Sequence, residues 1–198
     1  MARQHKVGIH LFCGRLRLEG TLQKIDTYTA YWREIVGPDM REFRQSPADL
    51  RLAFHLAISL FHMGDWVYGA HKTTIDANFT YVDSNGATKP VHDEKTFANA
   101  IRTLNSDFEL IRSIANSAKH LQLKKSSKAY HTHTASHAAN TVSQPTGFGQ
   151  GSFGQGPYGG TQRVMLEGPG GNDLEFQSIA ASVWQTWESL AQKHGWQI

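Results

Sequence analysis

The sequence predicts a mainly α protein, a helical bundle of four to five helices with a small β-hairpin inserted before the last helix. Three observations predict it. Apolar residues recur at three- and four-residue steps in several long stretches. The run from Asp49 to Lys72 is apolar on nearly all sides and reads as a buried central helix. The one segment with strand-like alternation, from Tyr130 onward, is followed by a glycine tract and a second strand-like segment ahead of a final amphipathic stretch.

Residues 1 to 17 read as an arm, and residues 18 to 198 as a single helical domain. Leu18, Leu22, Ile25, Tyr28, Trp32 and Ile35 form one face of a first helix, expected to stop near Gly37-Pro38. Asp39 to Gln45 is charged and reads as a connection. Ser46, Pro47 and Asp49 together form a helix-start signal: a capping hydroxyl, proline at the first helical position and acid in the first turn. The central helix follows, with Gly69 as a loosening point.

Phe79 to Pro90 is turn-rich around Asp83-Ser84-Asn85-Gly86. Asp93 is placed to cap a helix carrying Phe97, Ile101 and Leu104. Ser106 and Glu109 have capping-box spacing before a helix whose face is Phe108, Ile111, Ile114, Ala115, Ala118 and Leu121. The hairpin and its glycine-rich loop occupy 128 to 168, with strands expected over Tyr130 to Val142 and Thr161 to Glu167. The last helix, Asp173 to His194, carries Phe176, Ile179, Ala180, Val183, Trp187, Leu190 and Ala191 on one stripe. Trp184 and Trp187 read as core or interface, and Trp196 as part of a free tail after Gly195.

Composition narrows the function classes. Of 198 residues 39% are hydrophobic and 19% charged, which fits a globular chain and not a disordered one. The net charge of +3 is too small a surplus to argue for nucleic acid by itself. Cys13 is the only cysteine, so neither a disulfide framework nor a thiolate metal cluster is available. The segment after the basic start, HLFCGRLRL, is broken by Gly14, Arg15 and Arg17, so neither a signal peptide nor a membrane span is expected, and the expected compartment is the cytoplasm. Eleven histidines are the compositional oddity and would make the chain much more basic below about pH 6.

Three clusters carry potential chemistry. His55 and His62, seven apart, share a face of the central helix, with Asp65 three residues further on. Arg112, Asn116 and His120, four apart, share a face of the helix expected to pack beside it. Carboxylate, imidazole, amide and guanidinium there suit an acid/base or metal site, or a polar network that fixes helix packing. The second cluster is the alternation in YHTHTASH. A strand would put His131 and His133 on one face about 6.5 Å apart, within reach of one zinc, nickel or iron ion. Glu167, His120 or, after a bend, His137 would supply a third ligand. The third is the tract PTGFGQGSFGQGPYGG, which lacks the lysine of a phosphate-binding loop and interleaves aromatics suited to base stacking or self-association.

The row Arg112, Asn116 and His120 resembles that of the HEPN superfamily of small helical bundles, many of them ribonucleases. The resemblance implies His120 as base towards a ribose 2′-hydroxyl and Arg112 as stabiliser of phosphorane charge. Over roughly residues 50 to 190, Gly64-Asp65-Trp66, Ile114 to His120 and the GQGPYGG loop look similar to a family of bacterial helical proteins without an assigned activity, which implies a shared architecture and no mechanism. Two function classes follow: a non-enzymatic interaction or structural module with a homo-oligomer or protein partner, and a HEPN-like ribonuclease or metal-dependent hydrolase, with RNA as a possible substrate.

Overall fold

The computed structural model describes residues 24–120, 137–145, 161–167 and 173–198. The architecture is mainly helical, with one two-stranded and one three-stranded antiparallel sheet. The elements run α1 (Tyr28–Tyr31), a π-helical turn (Trp32–Val36), α2 (Gly37–Gln45), α3 (Leu50–Asn78), β1 (Thr80–Val82), β2 (Thr88–Pro90), α4 (Glu94–Leu104), α5 (Asp107–His120), a 3-10 turn (Ala138–Asn140), β3 (Thr141–Pro145), β4 (Gln162–Leu166), β5 (Leu174–Glu175) and α6 (Phe176–His194). No described helix is long and apolar enough to cross a membrane. The arm over 1 to 17 lies outside the described residues.

The first helical segment departs from expectation at its stop. It starts at Tyr28, where Thr27 Oγ1 accepts the Ala30 N–H at 3.1 Å, and it passes straight through Gly37-Pro38 to Gln45. A π-turn makes this possible. The Gly37 N–H reaches five residues back to the Trp32 carbonyl, so Pro38 enters at the start of a fresh α-helical register, where its missing N–H is no loss. The segment read as a connection therefore buries Met40 and Phe43.

The start signal of α3 is also shared out differently. Asp49, not Ser46, caps the helix: its Oδ1 accepts the N–H of Arg51 at 2.8 Å and of Leu52 at 3.2 Å. Asp49→Ala is expected to cost about 1 kcal/mol in urea unfolding, whereas Ser46→Ala should stay within about 0.5 kcal/mol. Helix α3 bends at His71 (φ −125°, ψ 22°), two residues past Gly69. Asp93 caps α4 as expected, in a reciprocal box with Thr96. At the head of α5 it is Asn105 that serves, its Oδ1 accepting the Asp107 N–H at 2.9 Å.

The turn-rich stretch after α3 is a hairpin, with Thr80 opposite Pro90 and Gly86 at φ +78° in the turn. The second hairpin forms where one was expected, but its first strand begins only at Thr141, paired with Leu166. The Tyr130 to Ser136 part of the expected strand lies outside the described residues. Leu174 and Glu175 add a third strand to β4. The Val164 N–H donates to Pro47 O at 3.0 Å, which docks this sheet beside the start of α3.

Helices α3, α5 and α6 share the core with α2 and α4. Every residue of the stripe expected on the last helix is buried, as are Phe108, Ile111, Ile114 and Ala115 of α5. Trp187 sits at the centre. It is 1% exposed, its ring centroid is 6.5 Å from that of Phe97 and 6.1 Å from that of Phe108, and its indole N–H donates to Leu60 O at 3.2 Å. Trp196 is not in a free tail. It is buried, stacked on His71 at 5.2 Å and on His194 at 5.0 Å. Gln197 binds that tail to the first helix, its N–H donating to the Tyr28 hydroxyl and its carbonyl accepting from Thr29 Oγ1.

Candidate functional site

Helix α3 presents His62 and Asp65 to solvent, three residues apart on one face. Their Nδ1 and Oδ2 atoms lie 2.7 Å apart, and each side chain is about half exposed (49% and 48%). The next residue, Trp66, stacks on Tyr31 with ring centroids 5.1 Å apart and planes 16° from parallel. This places the indole against the first helix and opens a cleft of about 480 Å³ between the two elements. Asp26, Tyr28, Asp65 and Trp66 line it, with Thr27, Gly69 and Ala70.

The cleft brings two carboxylates, an indole and a phenol into one lining. Asp26 pairs with Lys24 at 3.0 Å, and that side chain is 76% exposed, so the ion pair is weak and readily exchanged. Tyr31 beneath the cleft remains a phenol. Burial first, then the charges of Asp39 and Asp65, push its pKa up, and its hydroxyl donates to Ser59 O at 3.3 Å. His55 is exposed and lies near Asp39 of α2. Burial raises the Asp39 pKa, and a hydrogen bond from Ser59 and the nearness of His55 pull it partly back.

Arg112 has other partners. Its Nη1 donates to Asn99 Oδ1 at 3.0 Å and lies 3.7 Å from Glu109 Oε2, with the side chain only 16% exposed. Glu109, 4% exposed, is the most perturbed acid here: burial pushes it up to about 7, against the pull of Arg112 and Arg102. Arg102 in turn donates to Val82 O at 3.0 Å, tying the first hairpin to α4. Asn116 is half-buried one turn beyond Arg112. His120 ends α5, and its side chain lies outside the described residues. The structure thus joins Asp65 to His62 and Arg112 to Asn99 and Glu109; it does not join Asp65 to Arg112.

His131 and His133, the candidate metal ligands, lie outside the described residues. Among the described residues no group of three or more His, Cys, Asp or Glu side chains is placed to hold a metal ion. His137 uses its Nδ1 to accept the Ala139 N–H at 3.0 Å, and Glu167 is exposed beyond the end of β4.

Sequence reasoning missed two features. Glu109 reads as a helix-start residue, although its three-residue spacing to Arg112 is the signal that pairs them. A groove along α6 draws on three distant stretches of chain, and no local pattern announces it. No family model, curated protein or solved structure matches this chain, so its function rests on its own residues.

Proposed function

We propose that this protein is a non-enzymatic interaction module that takes a lysine or arginine side chain of a protein partner into the cleft between Asp26 and Asp65. The observation that carries this reading is that two exposed carboxylates, Asp26 and Asp65, line one cleft together with Trp66 and Tyr28. An ammonium or guanidinium over an indole face gains about 0.5–2 kcal/mol, more as water is excluded. Charge-assisted hydrogen bonds to the carboxylates add to it and fix its position. Gly69 leaves room beside the rings, since a side chain there would meet nothing within 4 Å.

The partners of Arg112, one of the residues that would serve a ribonuclease or hydrolase, support this reading. Arg112 is spent on Asn99 and Glu109 inside the bundle, where it holds α5 to α4.

The test is calorimetric titration with an acetylated and amidated Gly-Arg-Lys-Arg-Gly peptide at low salt. Asp65→Asn and Asp26→Asn change exposed residues and leave the fold intact. Each is expected to weaken binding about tenfold, roughly 1.4 kcal/mol, and salt at about 0.5 M should remove most of the affinity. Equal binding by wild type and Asp65→Asn, or none by either, refutes the reading. RNA cleavage lost in His120→Ala would put the ribonuclease in its place.

A further inference from the structure

A second cavity, of about 590 Å³, lies along α6 on ground separate from the Asp65 cleft. One wall is the outward row Ser182, Gln185, Thr186, Ser189 and Lys193 of α6. Positions 182, 185, 186, 189 and 193 recur at helical spacing, so they line one side of the helix beside its buried stripe. The other wall is the junction of α3 with β1, where Phe79 and Thr80 sit, and the end of α4 at Leu104 and Asn105.

Three properties of this groove specify a ligand. Its polar end is already built: Asn105 Nδ2 donates to Ser182 Oγ at 3.0 Å and to Thr186 Oγ1 at 2.7 Å, while Thr186 Oγ1 donates to Ser182 O at 3.0 Å. The Ser182 hydroxyl therefore accepts within the protein and keeps its own hydrogen for a guest. Its floor is apolar, with Phe79 and Leu190 buried and Leu104, at 59% exposure, the most exposed large hydrophobic residue of the described chain. Among the described residues its charge is one-signed: Lys193 lines it, and no described Asp or Glu does. Along α6, Lys193 is seven residues from Thr186, about 10 Å.

We infer that this groove binds a small amphipathic carboxylate, about the size of two fused rings. Its anionic end pairs with Lys193, its flat body covers Leu104 and Phe79, and its far edge meets the Ser182 and Thr186 hydroxyls. Phe79, Leu104 and Leu190 form an apolar strip within a lining that is otherwise polar, which suits a guest with one flat apolar face and polar edges. An uncompensated lysine at one end selects an acid over its neutral isostere.

The experiment titrates the full chain with 2-naphthoate and, separately, with 2-naphthamide, reading backbone amide shifts. Naphthoate is expected to move the amides of Leu104, Asn105, Ser182, Thr186 and Lys193 and to bind at least tenfold more tightly than the amide. Lys193→Glu, at an exposed position, should weaken naphthoate at least tenfold and leave naphthamide unchanged. Thr186→Phe should block both by filling the groove. Equal affinity for acid and amide, shifts confined to other surfaces, insensitivity to Lys193→Glu, or absence of binding each overturns the inference. None of these outcomes bears on the cationic peptide at Asp65, which occupies a different face.

Discussion

Trp187→Ala is expected to destabilise the protein by about 3–5 kcal/mol, the range for deleting a large buried aromatic side chain. For a chain of this size that is roughly 10 °C or more in melting temperature. The expectation has three sources. The indole fills the space between Phe97 of α4 and Phe108 of α5, and alanine would leave that space empty. Its N–H satisfies the Leu60 carbonyl, which would lose a partner in an apolar setting. The ring edge also packs on α3 at Gly64, where a Cβ would lie in ordinary contact with it at 3.7 Å, and alanine at 187 would forfeit that packing. Collapse cannot repair the cavity cheaply, because the ring is wedged among three helices. Urea unfolding checks this; a loss below about 1.5 kcal/mol would mean that Trp187 is not the centre of the core.

The second large effect is in pH. Glu109 ionises near 7 in the folded chain and near 4.5 when unfolded. Between those values the folded state holds the proton more tightly, so the stabilisation present below about 4.5 is lost as pH rises through 7. From this one group the loss is on the order of 2–3 kcal/mol. His71 and His194 act in the opposite direction. Burial lowers both pKa values, with Lys193 adding to the effect at His194, and the Nε2 of His71 is buried with no hydrogen-bond partner among the described residues. Their contribution is present above about 6.5 and is lost as pH falls through the lowered values.

In wild type the two effects partly cancel between about pH 4.5 and 6.5, and only the Glu109 loss remains towards pH 8. Glu109→Gln should remove that alkaline loss and expose a stability that rises with pH up to about 6.5. Unfolding free energies measured from pH 5 to 8.5 decide it. An unchanged alkaline slope in Glu109→Gln would show that Glu109 is not the group responsible.

What the sequence reveals and what it conceals divide along physical lines. The faces of α5 and α6 are legible because burial repeats with the helical period, and Asp93 is legible because a cap is a local device. The continuation past Gly37-Pro38 is hidden because a single five-residue hydrogen bond, from Gly37 to Trp32, changes the rule that proline normally enforces. Ser46, Pro47 and Asp49 are all acceptable start residues, and only the geometry selects Asp49. Trp196 reads as tail because its partners His71 and Phe79 lie more than a hundred residues upstream.

The site follows the same division. Asp65 stands out as an exposed acid in the most apolar part of α3, with half-buried Trp66 beside it and His62 within one turn. The cleft itself needs Asp26 and Tyr28 from another element, which no periodicity connects to Asp65. The expectation that Arg112 faces Asp65 assumed which helix it would meet. Asn99 on α4 and Glu109 on its own helix take it instead.

The central claim is most directly tested at the Trp66 indole. In a two-dimensional spectrum of the labelled protein, the arginine-lysine peptide should shift the Trp66 indole N–H and the amides of Gly69 and Ala70, and Asp65→Asn should flatten that response about tenfold in peptide concentration. An unmoved Trp66 signal at saturating peptide, or shifts that gather elsewhere on the molecule, would contradict it.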